Sequence, residues 1–179
     1  MIINIPTGLT LLRIAMMPIM LLLHYYDYPL AASVIFGIAG LTDWADGYMA
    51  RRLNQESRLG AFLDPVADKL IVIVALILIV EREASLWITL ASIAIIGREV
   101  IISALREWMA ETGQRSKVAV AYIGKIKTTA QIFALIFLLY NKPLWGLPIH
   151  EMGLVLLAIA TVLTLVSMVQ YLLAALKKS

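Results

Sequence analysis

Four aspartates carry the clearest capacity for chemistry in this chain. Asp43 and Asp46 stand three residues apart in DWADGYMAR, and Asp64 and Asp68 stand four apart in GAFLDPVAD. On a helix, either spacing turns both carboxylates of a pair to one face, and two neighbouring antiparallel helices would bring the pairs together. Both stretches adjoin long apolar runs, so the four acids sit at membrane depth. A charged aspartate at the centre of a bilayer costs about 2.5 to 3.5 kcal/mol on insertion scales. A position near the interface lowers that cost, but four facing carboxylates still repel or hold protons unless cations lie between them. The chain has no cysteine, and its carboxylate oxygens are hard donors that suit Mg²⁺ or Mn²⁺ better than zinc. Two divalent ions would balance four negative charges, and paired metals recur where the attacking and leaving oxygens of a phosphoryl transfer must both be clamped. Gly47, Ala50 and Gly60 flank the acids and leave open space for a ligand's approach. Ordinary packing of small residues between membrane helices would use the same glycines.

The elements that must position these groups are membrane helices. Of the 179 residues, 61% are hydrophobic and 15% charged, with a mean hydropathy of +0.89. Apolar runs at 8–26, 29–50, 62–80, 85–109, 118–140 and 147–176 are each long enough to cross roughly 30 Å of hydrocarbon as a helix. Any one run could be the buried core helix of a soluble protein. Six with short connections leave almost no polar surface to face water, which excludes that class. The expected fold is an all-α, polytopic bundle of six transmembrane helices with a short interfacial segment at IINIPTGLT, in a single domain over 1–179. The first run contains Arg13 and Pro18 and no small-residue cleavage site, so it is expected to be a retained span rather than a secretory signal.

Basic residues orient the bundle. Arg51, Arg52 and Arg58 lie between spans two and three. Arg106, Arg115, Lys117, Lys125 and Lys127 surround the turn between four and five, and Lys177 and Lys178 close the chain. Arg82 and Lys142 alone fall on the other side, so both termini are expected in the cytoplasm by the positive-inside bias. His24 and His150 then fall on the side opposite the aspartates. The net charge of +3 is explained by basic loops beside anionic headgroups, and no nucleic-acid module is visible. Trp87, Trp108, Trp145 and the tyrosines at 25, 26 and 28 fall near span boundaries, where aromatic side chains anchor helices.

Residues 43 to 68 follow the pattern D-x2-D-G-x2-A-R-x8-G-x3-D-x3-D, with eight fixed positions at fixed spacing. This segment resembles the signature of the CDP-alcohol phosphatidyltransferases, and the six-span hydropathy is similar to that family's. The resemblance implies that Asp43, Asp46 and Asp64 hold one metal and that Asp43, Asp64 and Asp68 hold a second. It also implies that Asp68 takes the proton from the acceptor hydroxyl. Gly47, Arg51 and Ser57, with Gly60 and Ala50 beside them, match positions that contact the CDP part of a CDP-diacylglycerol donor. A guanidinium at Arg51 suits that role because it pairs with phosphate in a planar, bidentate way; the lesser alternative is an interfacial arginine that snorkels. Asn4, Thr7 and Thr10 are placed to reach the nucleotide from the cytoplasmic edge, or simply to cap the first helix.

The signature alone does not choose an acceptor. The stretches NIPTGLTLLR, GREVIISALREWMAE and GKIKTTAQ resemble the bacterial branch of the family whose acceptor is glycerol 3-phosphate. Charge agrees with a phosphorylated acceptor. Arg98 and Arg106 are eight residues apart, about 12 Å along a helix, and Lys125 and Lys127 enter the next span on the same side. These four are the candidate acceptor-phosphate residues. Intramembrane pairs of Arg98 with Glu99 and Arg106 with Glu107 are the alternative use of the same charges. The resemblance further implies a homodimer in the bacterial inner membrane. Rival readings are a family member with serine, inositol phosphate or phosphatidylglycerol as acceptor, a divalent-cation transporter, and a structural membrane subunit. Against transport, no acidic relay continues from the aspartates toward His24 or His150.

Overall fold

The computed structural model describes residues 5–53, 58–111 and 122–176. Within these, the side chains of 5–6, 43–53, 58–59, 61, 106, 110–111, 122–125 and 174–176 lie outside the description. The described residues form six α-helices: α1 (Ile5–Tyr25), α2 (Pro29–Leu53), α3 (Arg58–Glu83), α4 (Leu86–Glu111), α5 (Tyr122–Tyr140) and α6 (Ile149–Leu176). They form no β-strand, only an isolated bridge between Leu144 and Leu147. Each helix overlays one of the apolar runs read from the sequence. Ile5–Thr10, expected in an interfacial segment, are the opening turns of α1 and continuous with it.

Segments of α1, α4 and α6, over Thr7–Tyr25, Leu86–Met109 and Ile149–Leu173, are long and apolar enough to cross a membrane by length and composition. The apolar portions of α2 and α5, Pro29–Thr42 and Ile126–Tyr140, are shorter. In α2 the apolar stretch gives way to the acidic segment that begins at Asp43, and α3 opens with its own charged segment. The outward faces are apolar, with Leu22, Leu41, Ile77, Ile93, Val100, Val155 and Val162 exposed, as a lipid solvent requires. Between the helices, Ala39, Ala75, Ala91, Ala134 and Ala160 have no exposed surface. In hydrocarbon, close approach of backbones at small residues replaces the hydrophobic drive that packs soluble helices.

The odd-numbered helices run parallel to one another. Thr10 and Arg13 of α1 meet Asp64 and Asp68 of α3, and His24 meets Glu81 further along. Arg82 of α3 meets Leu138 and Leu139 of α5. This ordering gathers the starts of α1 and α3 with the ends of α2 and α4 at one pole. His24, Glu81, Glu83 and His150 lie at the other, the histidines away from Asp64 and Asp68 as the sequence suggested. Arg82 at that pole donates to the last carbonyls of α5, Nη1 reaching Leu139 O at 3.1 Å. A cation there satisfies orphan acceptors and the negative end of the helix dipole.

Short connections are made possible by left-handed residues. Asp27, Ala84 and Asn141 follow α1, α3 and α5 with φ of 57°, 44° and 48°. Between α5 and α6, Trp145 and Gly146 (φ 50° and 80°) turn the chain so that Leu144 and Leu147 exchange backbone bonds of 3.3 and 2.9 Å. This is type I′ geometry, and it leaves the Trp145 indole fully outside, consistent with an interfacial anchor. Where α6 begins, Gly153 lies against α5 so closely that an added Cβ would stand 2.9 Å from Leu138 Cγ and 3.1 Å from Phe137 Cβ. Neither is the free tip of a side chain, so the two helices must part. Gly153→Ala is therefore expected to destabilise the protein by about 1–3 kcal/mol. A lowered unfolding midpoint in detergent checks this; an unchanged or raised midpoint contradicts it.

Candidate active site

At the acidic pole the first turns of α1 lie against α3. The buried face of α1 runs through Thr7, Thr10, Arg13, Met17 and Met20, a helical stripe whose upper part is apolar and whose lower part is polar. The Thr10 hydroxyl donates to Asp64 Oδ1, and Arg13 Nη1 donates to Asp68 Oδ1 in an ion pair. Thr10 and Arg13 are three apart and Asp64 and Asp68 four apart, so two parallel helices pair them rung by rung. Arg13 is only 1% exposed, whereas the Asp68 side chain is 38% exposed. The carboxylate therefore keeps an open side while a buried guanidinium fixes the other. Arg13 is a site residue that the sequence reading passed over as a charge within a span.

Asp64 and Asp68 are thus brought together, with Gly60 buried one turn before Asp64. Asp43, Asp46, Gly47, Ala50 and Arg51 lie on the last turns of α2, which packs on α3, but their side chains are outside the described residues. Ser57 is outside them altogether, as are the side chains of Arg106 and Lys125. Among the described residues no group of three His, Cys, Asp or Glu is close enough to hold a metal ion. The donors that are described fit a hard divalent cation: two carboxylates one helical turn apart, one of them open, with a hydroxyl beside them and no sulfur or imidazole near.

A second polar cluster joins α4, α5 and α6. Glu99 Oε1 accepts from Arg98 Nη1 at 2.7 Å and from Lys127 Nζ at 2.9 Å. Arg98 and Lys127 are buried, and the Arg98 guanidinium lies 5.9 Å from the centre of the Tyr171 ring. Lys69, next to Asp68 on α3, donates to Ser103 Oγ, and Ser103 Oγ donates to Glu99 O at 2.6 Å. Two of the four expected acceptor-phosphate residues are therefore together, and their shared partner is the Glu99 that the sequence reading paired with Arg98 alone. Lys69 adds a cation that its acidic neighbour concealed. This cluster and the Asp64–Asp68 pair are connected through consecutive residues of α3.

The model of the family described as CDP-alcohol phosphatidyltransferase matches residues 3–169, nearly the whole chain. The chain belongs to the CDP-alcohol phosphatidyltransferase family. A protein of Escherichia coli (strain K12) named CDP-diacylglycerol--glycerol-3-phosphate 3-phosphatidyltransferase is 53% identical over 175 residues, covering 96% of this chain and 94% of the relative. Identically named proteins of Shigella flexneri and Shigella boydii serotype 4 (strain Sb227) match with the same identity and coverage. Family membership accounts for the eight-position motif on α2 and α3, and it excludes a transporter or purely structural subunit as the primary reading.

Proposed function

We propose that this protein transfers the phosphatidyl group of CDP-diacylglycerol to sn-glycerol 3-phosphate, forming phosphatidylglycerophosphate and releasing CMP. The observation that carries the reading is 53% identity across 96% of the chain to relatives named for that reaction. The cluster of buried Arg98 and Lys127 near the acidic pole supports an acceptor that brings its own phosphate.

In this reading Asp43, Asp46, Asp64 and Asp68 hold two divalent cations, Mg²⁺ or Mn²⁺, which supply Lewis-acid polarisation of the donor's diphosphate when bound. Gly47, Ala50, Arg51, Ser57, Gly60 and Thr10 seat the CDP portion of the donor. Arg98 and Lys127, with Arg106 and Lys125, hold the acceptor phosphate. The primary hydroxyl of glycerol 3-phosphate attacks the lipid-bearing phosphorus, and its proton passes to Asp68. The new P–O bond forms as the bond to CMP breaks, and no covalent enzyme intermediate is required. Arg13 keeps Asp68 oriented through the hydrogen bond to Oδ1. The single domain spans the chain, both termini and the site face the cytoplasm of a bacterial inner membrane, and the enzyme works as a homodimer.

The test is CMP release by purified protein in detergent with CDP-diacylglycerol and Mg²⁺, comparing glycerol 3-phosphate, serine and inositol phosphate. Release that depends on glycerol 3-phosphate is expected. Dependence on serine or inositol phosphate would overturn the acceptor and retain the family.

A further inference from the structure

Helices α3 and α4 meet along a seam that carries a cation at one level and an apolar cavity at another. Lys69 follows Asp68 on α3, so it stands level with the acidic pole, and its Nζ donates to Ser103 Oγ of α4. The Ser103 hydroxyl in turn donates to Glu99 O at 2.6 Å. An ammonium has three donors, and among the described residues this one meets no carboxylate and no acceptor besides Ser103. A lysine at membrane depth is costly without an anion to meet it, and basic pockets between membrane helices take up lipid headgroups.

Eight residues on, about 12 Å along α3, a cavity of about 300 Å³ opens between the two helices. Its walls are Ile77 and Val80 of α3 and Ser92, Ile93 and Ile96 of α4, with Glu81 at its far end. Ile77 is 55% and Ile93 61% exposed on the apolar outer surface, so the cavity opens sideways to hydrocarbon. Steps of four and three residues carry one stripe of α3 from Lys69 through Ile73 and Ile77 to Val80. Matching steps carry one stripe of α4 from Ser103 through Val100 and Ile96 to Ile93. Cation and cavity therefore belong to one groove. Its ends differ in charge, with Lys69 at the acidic pole and Glu81, which meets His24, at the other. That polarity suits a molecule with an anionic end at Lys69 and an apolar end beyond it.

We infer that the α3–α4 groove binds one anionic phospholipid molecule, its phosphate on Lys69 Nζ and one acyl chain in the cavity beside Ser92. Lys69 reaches toward α4 and Asp68 toward α1, so this lipid lies on a different face of α3 from the carboxylates. It is a site apart from the seats of donor and acceptor, and a lipid held there bridges α3 and α4.

The experiment is native mass spectrometry of the purified protein in detergent with Mg²⁺, with and without CDP as a competitor at the donor site. The probes are dioleoyl phosphatidylglycerol and dioleoyl phosphatidylcholine. One phosphatidylglycerol per chain is expected to be retained with CDP present, at least about fivefold more tightly than phosphatidylcholine, the preference one lysine supplies. It should also raise the unfolding midpoint. Lys69→Met keeps the stem, removes the charge and is expected to abolish the preference. Ser92→Leu fills the cavity and sacrifices no hydrogen bond, since Ser92 Oγ is buried without a partner among the described residues. It is expected to lose the lipid while unfolding no earlier than lipid-free wild type. Equal retention of the two lipids by wild type, or an undiminished preference in Lys69→Met, would overturn the proposal. Displacement by inorganic phosphate would make the seat one for free phosphate, and displacement by CDP would return the lipid to the donor site. A dimer that Ser92→Leu dissociates with lipid retention unchanged would make the groove a contact between two chains. Each of these three results also overturns the proposal. If Lys69→Met does not fold, Ser92→Leu decides: loss of phosphatidylglycerol supports the site, and full retention refutes it.

Discussion

Asp68→Asn is expected to reduce glycerol 3-phosphate-dependent CMP release by about a hundred- to ten-thousandfold, the range for losing a positioned general base. The substitution is nearly isosteric, and its amide oxygen can still accept from Arg13 Nη1, so the α1–α3 contact that fixes this side chain persists. What disappears is the negative charge and the capacity to take the acceptor's proton. Because Asp68 also belongs to the proposed metal set, loss of charge weakens cation binding as well, and the effect is expected toward the upper end of that range. The measurement is CMP release at saturating substrates, with an unfolding midpoint close to wild type as the control for folding. A variant that folds and retains a near-wild-type rate would remove Asp68 from the chemistry and leave it as an ion-pair partner of Arg13.

Removal of divalent cations is expected to have a comparably large effect. The carboxylates described on α3 lie one turn apart, and the motif places two more on the adjoining α2. Arg13 offsets one of these charges, and in the proposed site cations from solution offset the remainder. Treatment with EDTA is expected to bring release below detection. Mg²⁺ or Mn²⁺ should restore it, while zinc, which favours nitrogen and sulfur ligands that this pole lacks, should restore little. The metal-free protein should also unfold at lower temperature, since like charges are then unscreened, and added Mn²⁺ should raise the midpoint. Full activity in EDTA with no metal-dependent shift of the midpoint would contradict the metal assignment.

Much of the fold was legible because hydropathy is a direct record of the solvent. Each apolar run became one helix, and the ends differ by a few residues where charged segments such as DGYMARRL extend a helix beyond its apolar part. The acidic motif was legible for a different reason: carboxylates in an apolar context are costly, and their spacing alone turns them to a common face. Partners across helices were not legible. Arg13 pairs with a residue 55 positions away, and only the parallel alignment of α1 with α3 reveals it. Lys127 was recognised as a cation, but its carboxylate lies 28 residues earlier on α4. Lys69 reads as an ordinary basic neighbour of Asp68 until its hydrogen bond to Ser103 ties it to the second cluster. Thr10 was read as a contact to the nucleotide or a cap, and nothing in the sequence marks that its hydroxyl also meets Asp64, 54 positions away.

The central claim is that the acceptor's own hydroxyl oxygen becomes bonded to the lipid-bearing phosphorus. It is tested most directly by supplying CDP-diacylglycerol, Mg²⁺ and glycerol 3-phosphate whose primary hydroxyl carries heavy oxygen, then weighing the lipid and the nucleotide released. The account predicts a phosphatidylglycerophosphate that retains the heavy oxygen, with unlabelled CMP formed in equal amount. CMP formed without a lipid of that mass, or a lipid lacking the label, would mean that water or another group attacks the phosphorus and would contradict the account.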